Sequence, residues 1–179
     1  MSASASPHNL PPLRIGNITL DAPVILAPMS GVTDLPFRRL VKKFGGGLVV
    51  SEMIASVAMV RENEKTLLMV KNTPEEFPMA VQLAGCEPEV MAQAARLNEH
   101  RGAALIDINM GCPVKKVVNG EAGSALMRDE DKAAAIIEAT VNAVKLPVTL
   151  KMRTGWDDKS RNAPNLAKRA ESAGVQMIT

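Results

Sequence analysis

Short apolar runs recur along the chain, separated by longer stretches whose apolar residues return every third or fourth position. "VILAP" from Val24, "LVVS" from Leu48, "MAVQL" from Met79, "LIDIN" from Leu105 and "VTLKM" from Val148 read as strands buried on both faces. Between them, Phe37, Leu40, Val41 and Phe44 fall on one side of a helix. The same spacing joins Val90, Ala94 and Leu97, and then Ala133, Ile136, Ile137, Thr140, Val141 and Val144. Punctuation supports each: Asp34 opens the first helix and Gly45-Gly46-Gly47 stop it, Gly102 ends the second, Asp129 opens the third and Pro147 closes it. Residues 56 to 71 read as a further helix. Ahead of all these elements, "LRIGNITL" alternates around Gly16-Asn17, a small hairpin placed to cap the strands that come after it.

Strands alternating with helices at this spacing predict right-handed crossovers and a parallel sheet, so the fold class is α/β. Five strand-helix units are complete, and "MIT" at Met177 to Thr179 opens a sixth strand. Two closures satisfy the pattern, a doubly wound sheet and a (β/α)8 TIM barrel. Against the first, "APMSGVTD" follows the first strand where a dinucleotide-binding sheet carries a glycine-rich fingerprint. A barrel takes about 250 residues, so on the second reading residues 13–179 are the N-terminal portion of one. Residues 1–12, rich in Ser, Ala and Pro, are expected to form a flexible segment.

Composition narrows the function classes only modestly. With 179 residues and 46% hydrophobic content the chain can bury a sizeable core. Its apolar runs break off well short of a membrane span, and "MSASASPHNL" lacks the apolar core of a signal peptide, so a cytoplasmic location and no membrane partner are the expectation. Cys86 and Cys112 are too few and too far apart for a disulfide framework or a close zinc-ligand pair, which predicts reduced thiols and no metal site. A net charge of +2 points to no partner by itself.

Chemistry gathers at the strand ends. Side chains alternate along a strand, so Ala80, Gln82 and Ala84 share one face, Leu105, Asp107 and Asn109 another, and Thr149, Lys151 and Arg153 a third. The polar members sit toward the carboxyl ends, where parallel α/β proteins of either closure build their sites; Glu52 repeats the pattern. Lys151 lies in an apolar strand, where burying an ammonium costs several kcal/mol unless an anion meets it. Either it pairs with Asp107 or Glu52, or it faces a ligand. Gln82 and Asn109 are amides satisfied by loop backbone or aimed at that ligand. Cys112, between Gly111 and Pro113, is a half-buried inert thiol, a partner for Cys86, or a reactive group on a loop above a rigid strand.

"APMSGVTDLPFR", "SEM", "VQLAG", "DINMGCPVKKV", "GSALM" and "LKMRTGW" occur in this order from about Arg14 onward. Together they closely resemble the tRNA-dihydrouridine synthases, and most of all the bacterial B-type branch. The resemblance implies an FMN enzyme on a (β/α)8 barrel that uses NADPH to reduce the C5–C6 double bond of D-loop uridines in tRNA. Hydride would pass from flavin N5 to C6 and a proton from Cys112 to C5. Pro28, Met29 and Ser30 resemble the flavin cradle, Gln82 the amide at the pyrimidine edge of the ring, Lys151 the cation near its N1 and O2, and Asn109 the residue that holds the base against the flavin. Arg153 is expected on the substrate side.

The residue chemistry agrees with this. A reduced flavin is electron-rich on its pyrimidine ring and offers Lys151 the negative charge its burial asks for. A cysteine with a thiol pKa near its unperturbed ~8.5 is protonated at neutral pH, as a proton donor must be. Cations beside it would lower that value, so Lys115 and Lys116 are expected to face tRNA phosphates and to give salt-sensitive binding, or else to sit on a solvated loop. Trp156 stacks on a base or packs within its loop, and Arg38 and Arg39 are read as solvated helix residues. On the same resemblance, a histidine motif after the sixth strand, glycine-rich flavin-phosphate loops and a helical tRNA-binding domain would lie beyond Thr179. Two rivals remain: a flavin barrel acting on a small molecule, of the dihydroorotate dehydrogenase type, and an inactive truncated RNA-binding or assembly module.

Overall fold

The structure, a computed structural model, describes residues 11–179. All but the last two residues of the expected flexible segment lie outside the described residues. β1 (Leu13–Ile15) and β2 (Ile18–Leu20) form the expected antiparallel hairpin, with Gly16 at φ +58° supplying the left-handed turn residue that a tight hairpin requires. The strand expected from Val24 is not regular: Ile25 makes a single parallel bridge to Leu48, and Leu26 N donates to Leu48 O at 2.9 Å. Pro23 and Pro28 bracket this segment and remove two amide donors, so a full ladder cannot form there.

α1 (Leu35–Lys43) follows, capped by Asp34, whose carboxylate accepts from Phe37 N at 3.0 Å. Then come β3 (Val49–Val50), β4 (Ile54–Ala55), α2 (Ser56–Val60), α3 (Glu64–Met69), β5 (Met79–Ala84), α4 (Pro88–His100), β6 (Leu105–Met110), α5 (Lys115–Val118), α6 (Glu130–Ala143), β7 (Val148–Met152), α7 (Ala163–Ser172) and β8 (Met177–Ile178). The single helix expected over 56–71 is two. Glu62 at φ +50° breaks it, and the Asn63 side chain accepts from Lys65 N and Thr66 N to start a second helix.

β3 and β4 both pair with β5, and β5, β6, β7 and β8 follow side by side, all parallel. Each strand lies next to its neighbour in sequence. A doubly wound sheet reverses strand order at a switch point, and no reversal occurs here. Outside the sheet α2 packs on α4, α4 on α6 and α6 on α7. This is an open half-barrel of the (β/α)8 type. Two cores flank the strands. Between sheet and helices lie Val81, Leu83, Ile106, Ile108, Met110, Val148 and Leu150; inside the curve lie Val50, Ala80 and Leu105, closed from below by Ile15 and Leu20 of the hairpin.

α1 departs from its predicted face. Leu40 is 47% and Phe44 80% exposed, whereas Arg38 is 1% exposed. The arginine does not sit in solvent; its Nε meets Glu76 Oε1 at 2.6 Å, and Glu76 is completely buried. Its Nη1 donates to Thr33 O at 2.9 Å and its Nη2 to Lys71 O at 2.8 Å, while Glu76 Oε2 accepts from Thr73 N at 3.0 Å. Arg39, as expected, is exposed, in a surface pair with Glu75.

Candidate active site

Strand register stacks the inner side chains in layers. Ala80 and Leu105 form the lowest, Gln82, Asp107 and Thr149 the next, and Asn109 beside Lys151 the highest. The three strand faces are those the alternation predicts. A polar layer therefore sits directly on an apolar floor, at the carboxyl ends of β5, β6 and β7.

That layer is wired in one direction. Thr149 Oγ1 donates to Asp107 Oδ1 at 2.5 Å and Gln82 Nε2 to Asp107 Oδ2 at 2.6 Å. Asn109 Nδ2 donates to Gln82 Oε1 at 2.8 Å, and Asn109 Oδ1 accepts from Gly111 N at 3.2 Å and Cys112 N at 2.9 Å. The run from a buried carboxylate to the cysteine loop has its donors and acceptors matched at every step. Burial pushes the Asp107 carboxyl above the ordinary carboxylate range, against the bonds from Thr149 and Gln82 and the charge of Lys151, which hold it down.

Cys112 is held from several sides. Besides the bond to Asn109, its carbonyl accepts from Ser124 N at 2.9 Å, and Arg153 Nε donates to the neighbouring Gly111 O at 2.7 Å. Gly123, at φ +61°, makes the approach possible: a Cβ there would lie 2.7 Å from Cys112 O. The thiol opens onto a cavity of about 390 Å³ lined by Pro28, Ser30, Met53, Gln82, Asn109, Lys151 and Arg153. A second space of about 210 Å³, deeper in the curve, shares Pro28 and Lys151 and reaches Asp107 and Thr149.

Lys151 is half-buried and makes no ion pair among the described residues. Its two candidate partners are otherwise engaged: Asp107 as above, and Glu52 through Gly31 N at 2.5 Å. The salt-bridge alternative for this lysine is not realised. Of the expected cradle, Pro28 and Ser30 line the cavity, whereas Met29 does not, its backbone N donating to the Thr33 hydroxyl and its carbonyl accepting from it at 3.2 Å. Lys115 and Lys116 lie exposed on α5, outside the Cys112 cavity; Lys116 borders a neighbouring groove with Cys86. Both cysteines are free. Trp156 carries the Arg128 guanidinium 4.5 Å over its ring, so it packs within the structure at least on that face.

Asp107 and Thr149 belong to this site although the motifs did not single them out; their signal was the two-residue alternation that placed them one layer below Asn109 and Lys151. Arg38 and Glu76 also serve it, since the arginine holds Thr33, and Thr33 holds Met29 beside the cavity wall. Thr73-Pro74-Glu75-Glu76 reads as a capping box, which announces Glu76 but not its partner. Among the described residues no helix is long and apolar enough to cross a membrane, and no group of three or more His, Cys, Asp or Glu could hold a metal ion.

Comparison with known proteins agrees with the motifs. Residues 25–179 match the family model described as dihydrouridine synthase. A probable tRNA-dihydrouridine synthase of Rickettsia bellii is 63% identical over 168 residues, covering 93% of this chain and 52% of the relative. A tRNA-dihydrouridine synthase B of Pseudomonas aeruginosa is 52% identical over 166 residues, covering 93% and 50% respectively. The chain thus spans about half the length of the curated relatives it matches. On these matches the chain, folded as a parallel half-barrel, belongs to the dihydrouridine synthase family, beside the B-type synthases.

Proposed function

We propose that this chain forms the N-terminal part of the catalytic barrel of a tRNA-dihydrouridine synthase, which reduces D-loop uridines of tRNA with FMN and NADPH. The observation that carries the reading is the half-buried ammonium of Lys151, without an ion pair among the described residues, in one cavity with Cys112. The donor set suits a flavin. Lys151 and the amide nitrogens of Gln82 and Asn109 are all hydrogen-bond donors, the complement of the carbonyl-rich pyrimidine edge of an isoalloxazine. Bound there, FMN would supply the hydride for uridine C6, and NADPH would restore it.

The chain's own residues have the remaining work. Lys151 and Gln82 would hold the ring edge, Pro28 and Ser30 would border it, and Asn109 would hold the base close to the ring. Cys112, on a loop fixed by Asn109 and Arg153, donates the proton to C5. An acid immobilised in this way is already placed for transfer, which contributes through orientation. Arg153 lines the cavity and Lys115 and Lys116 lie exposed on α5, where tRNA phosphates would meet them.

The test expresses this chain, and a form extended to the length of its relatives, in a host lacking its own synthases, and measures dihydrouridine in tRNA. Dihydrouridine is expected with the extended form, and Cys112→Ala should retain flavin and lower product formation at least about 100-fold, the scale of general acid catalysis. Unchanged product in the variant would sink the assignment of the acid. Flavin-bearing protein that turns over a free pyrimidine acid without tRNA, or colourless protein whose tRNA binding survives Cys112→Ala, would replace the whole reading.

A further inference from the structure

Asp107 presents a puzzle of charge. Both of its oxygens are met by neutral donors, Thr149 Oγ1 and Gln82 Nε2, and asparagine at this position could make the same two contacts. An asparagine carbonyl would accept from Gln82, and its amide would donate to the Thr149 hydroxyl, which accepts as readily as it donates. The hydrogen bonding does not call for a carboxylate. The carboxylate is nonetheless buried, where an ion costs several kcal/mol more than a neutral isostere. Something other than the hydrogen-bond pattern must account for its charge.

Among the described residues one charged group, Lys151, acts on it. From β5 Asp107 meets neutral Gln82, and from β7 neutral Thr149 and, one layer higher, Lys151. Asp107 and Lys151 line the same deep space yet make no ion pair. A carboxylate in contact would occupy the ammonium's hydrogens and block the cavity. One held a layer below, with its oxygens occupied, can do neither.

We infer that Asp107 is a positioning residue for charge, a buried counter-ion held one layer beneath Lys151. It balances the ammonium without consuming its hydrogens and thereby sets how strongly the cavity favours an anionic ring over a neutral one. The functional consequence rests on the flavin reading above. Without this carboxylate the site is more positive, the reduced cofactor is held more tightly than the oxidised one, and its hydride is given up less readily.

Two measurements test this, the first on the 179-residue chain without cofactor. In the first, apo Asp107→Asn is melted across pH. A carboxyl whose folded pKa lies above its unfolded value contributes its full stability below the unfolded pKa and loses it as pH rises through the folded one. The wild type should lose stability over that window, the asparagine variant should not, and at neutral pH the variant should be at least as stable. Lys151→Met should enlarge the pH-dependent loss by leaving the carboxylate without its counter-charge. An asparagine variant that melts lower at neutral pH, or a pH dependence indifferent to Lys151, overturns the inference.

In the second, FMN is bound to the form extended to the length of its relatives and its midpoint potential measured. Asp107→Asn should raise the ratio of reduced to oxidised binding at least tenfold, about 30 mV for a two-electron couple. A change below twofold overturns the inference. If the extended form takes up no FMN, the flavin reading fails, and the apo melting curves still decide whether Asp107 and Lys151 are coupled.

Discussion

Two polar clusters are buried in this half-barrel, and they are built on opposite plans. Outside the sheet, Arg38 and Glu76 touch directly at 2.6 Å, and the remaining groups of both are taken up by backbone around them. Inside the curve, Asp107 and Lys151 share a space but not a contact, and the lysine keeps its hydrogens. The first arrangement is closed: nothing in it can bind anything else. The second is left open at the end that faces the cavity. An ion buried to hold a fold satisfies itself, whereas an ion buried for chemistry is satisfied only when a ligand arrives.

The contrast breaks most visibly at the closed cluster. Arg38→Met leaves Glu76 as an uncompensated buried charge and should destabilise the chain by about 3–5 kcal/mol, read as a lower denaturation midpoint with unchanged slope. Because Thr33 and Met29 depend on the arginine, the wall near Pro28 should loosen with it. A loss below about 1 kcal/mol would mean that the pair is far less isolated from water than its burial says.

Lys151→Met should behave in the opposite way. At neutral pH its unfolding free energy should change by less than half of the Arg38→Met loss, since no partner in contact is orphaned. FMN affinity should fall about 10- to 100-fold, the range for a charge-assisted bond of about 1.5–3 kcal/mol. Equal destabilisation by the two substitutions would erase the distinction between closed and open clusters. The smallest effect belongs to neither. Replacing both Lys115 and Lys116 by Ala should leave stability unchanged within about 0.5 kcal/mol, and should lower the salt slope of tRNA binding by about 1.4–1.8, two phosphate contacts' worth. An unchanged slope would return these lysines to plain solvent exposure.

Legibility in the sequence divides along the same line. The inner and outer faces of β5, β6 and β7 are readable because alternation is rigid: whatever side Leu105 takes, Asp107 and Asn109 must share it. The cysteine loop is readable from its motif. Arg38 is not, because the inward side of a helix is chosen by what packs against it, and Glu76 lies 38 residues away in the chain. Phe44 has the spacing of a core residue and is 80% exposed for the same reason. The strand expected from Val24 fails on a local rule, since two prolines outweigh the apolarity that predicts it. The break at Glu62 is announced by Asn63-Glu64, a helix start inside a stretch with the pattern of one continuous helix.

The close approach of Gly123 to the Cys112 carbonyl has a stereochemical consequence. A sulfur whose backbone is gripped by Asn109 on one side and by Ser124 on the other approaches a bound base from a single direction. Under the proposed chemistry, a reaction run in heavy water would leave deuterium on one prochiral face of C5 and none on its mirror.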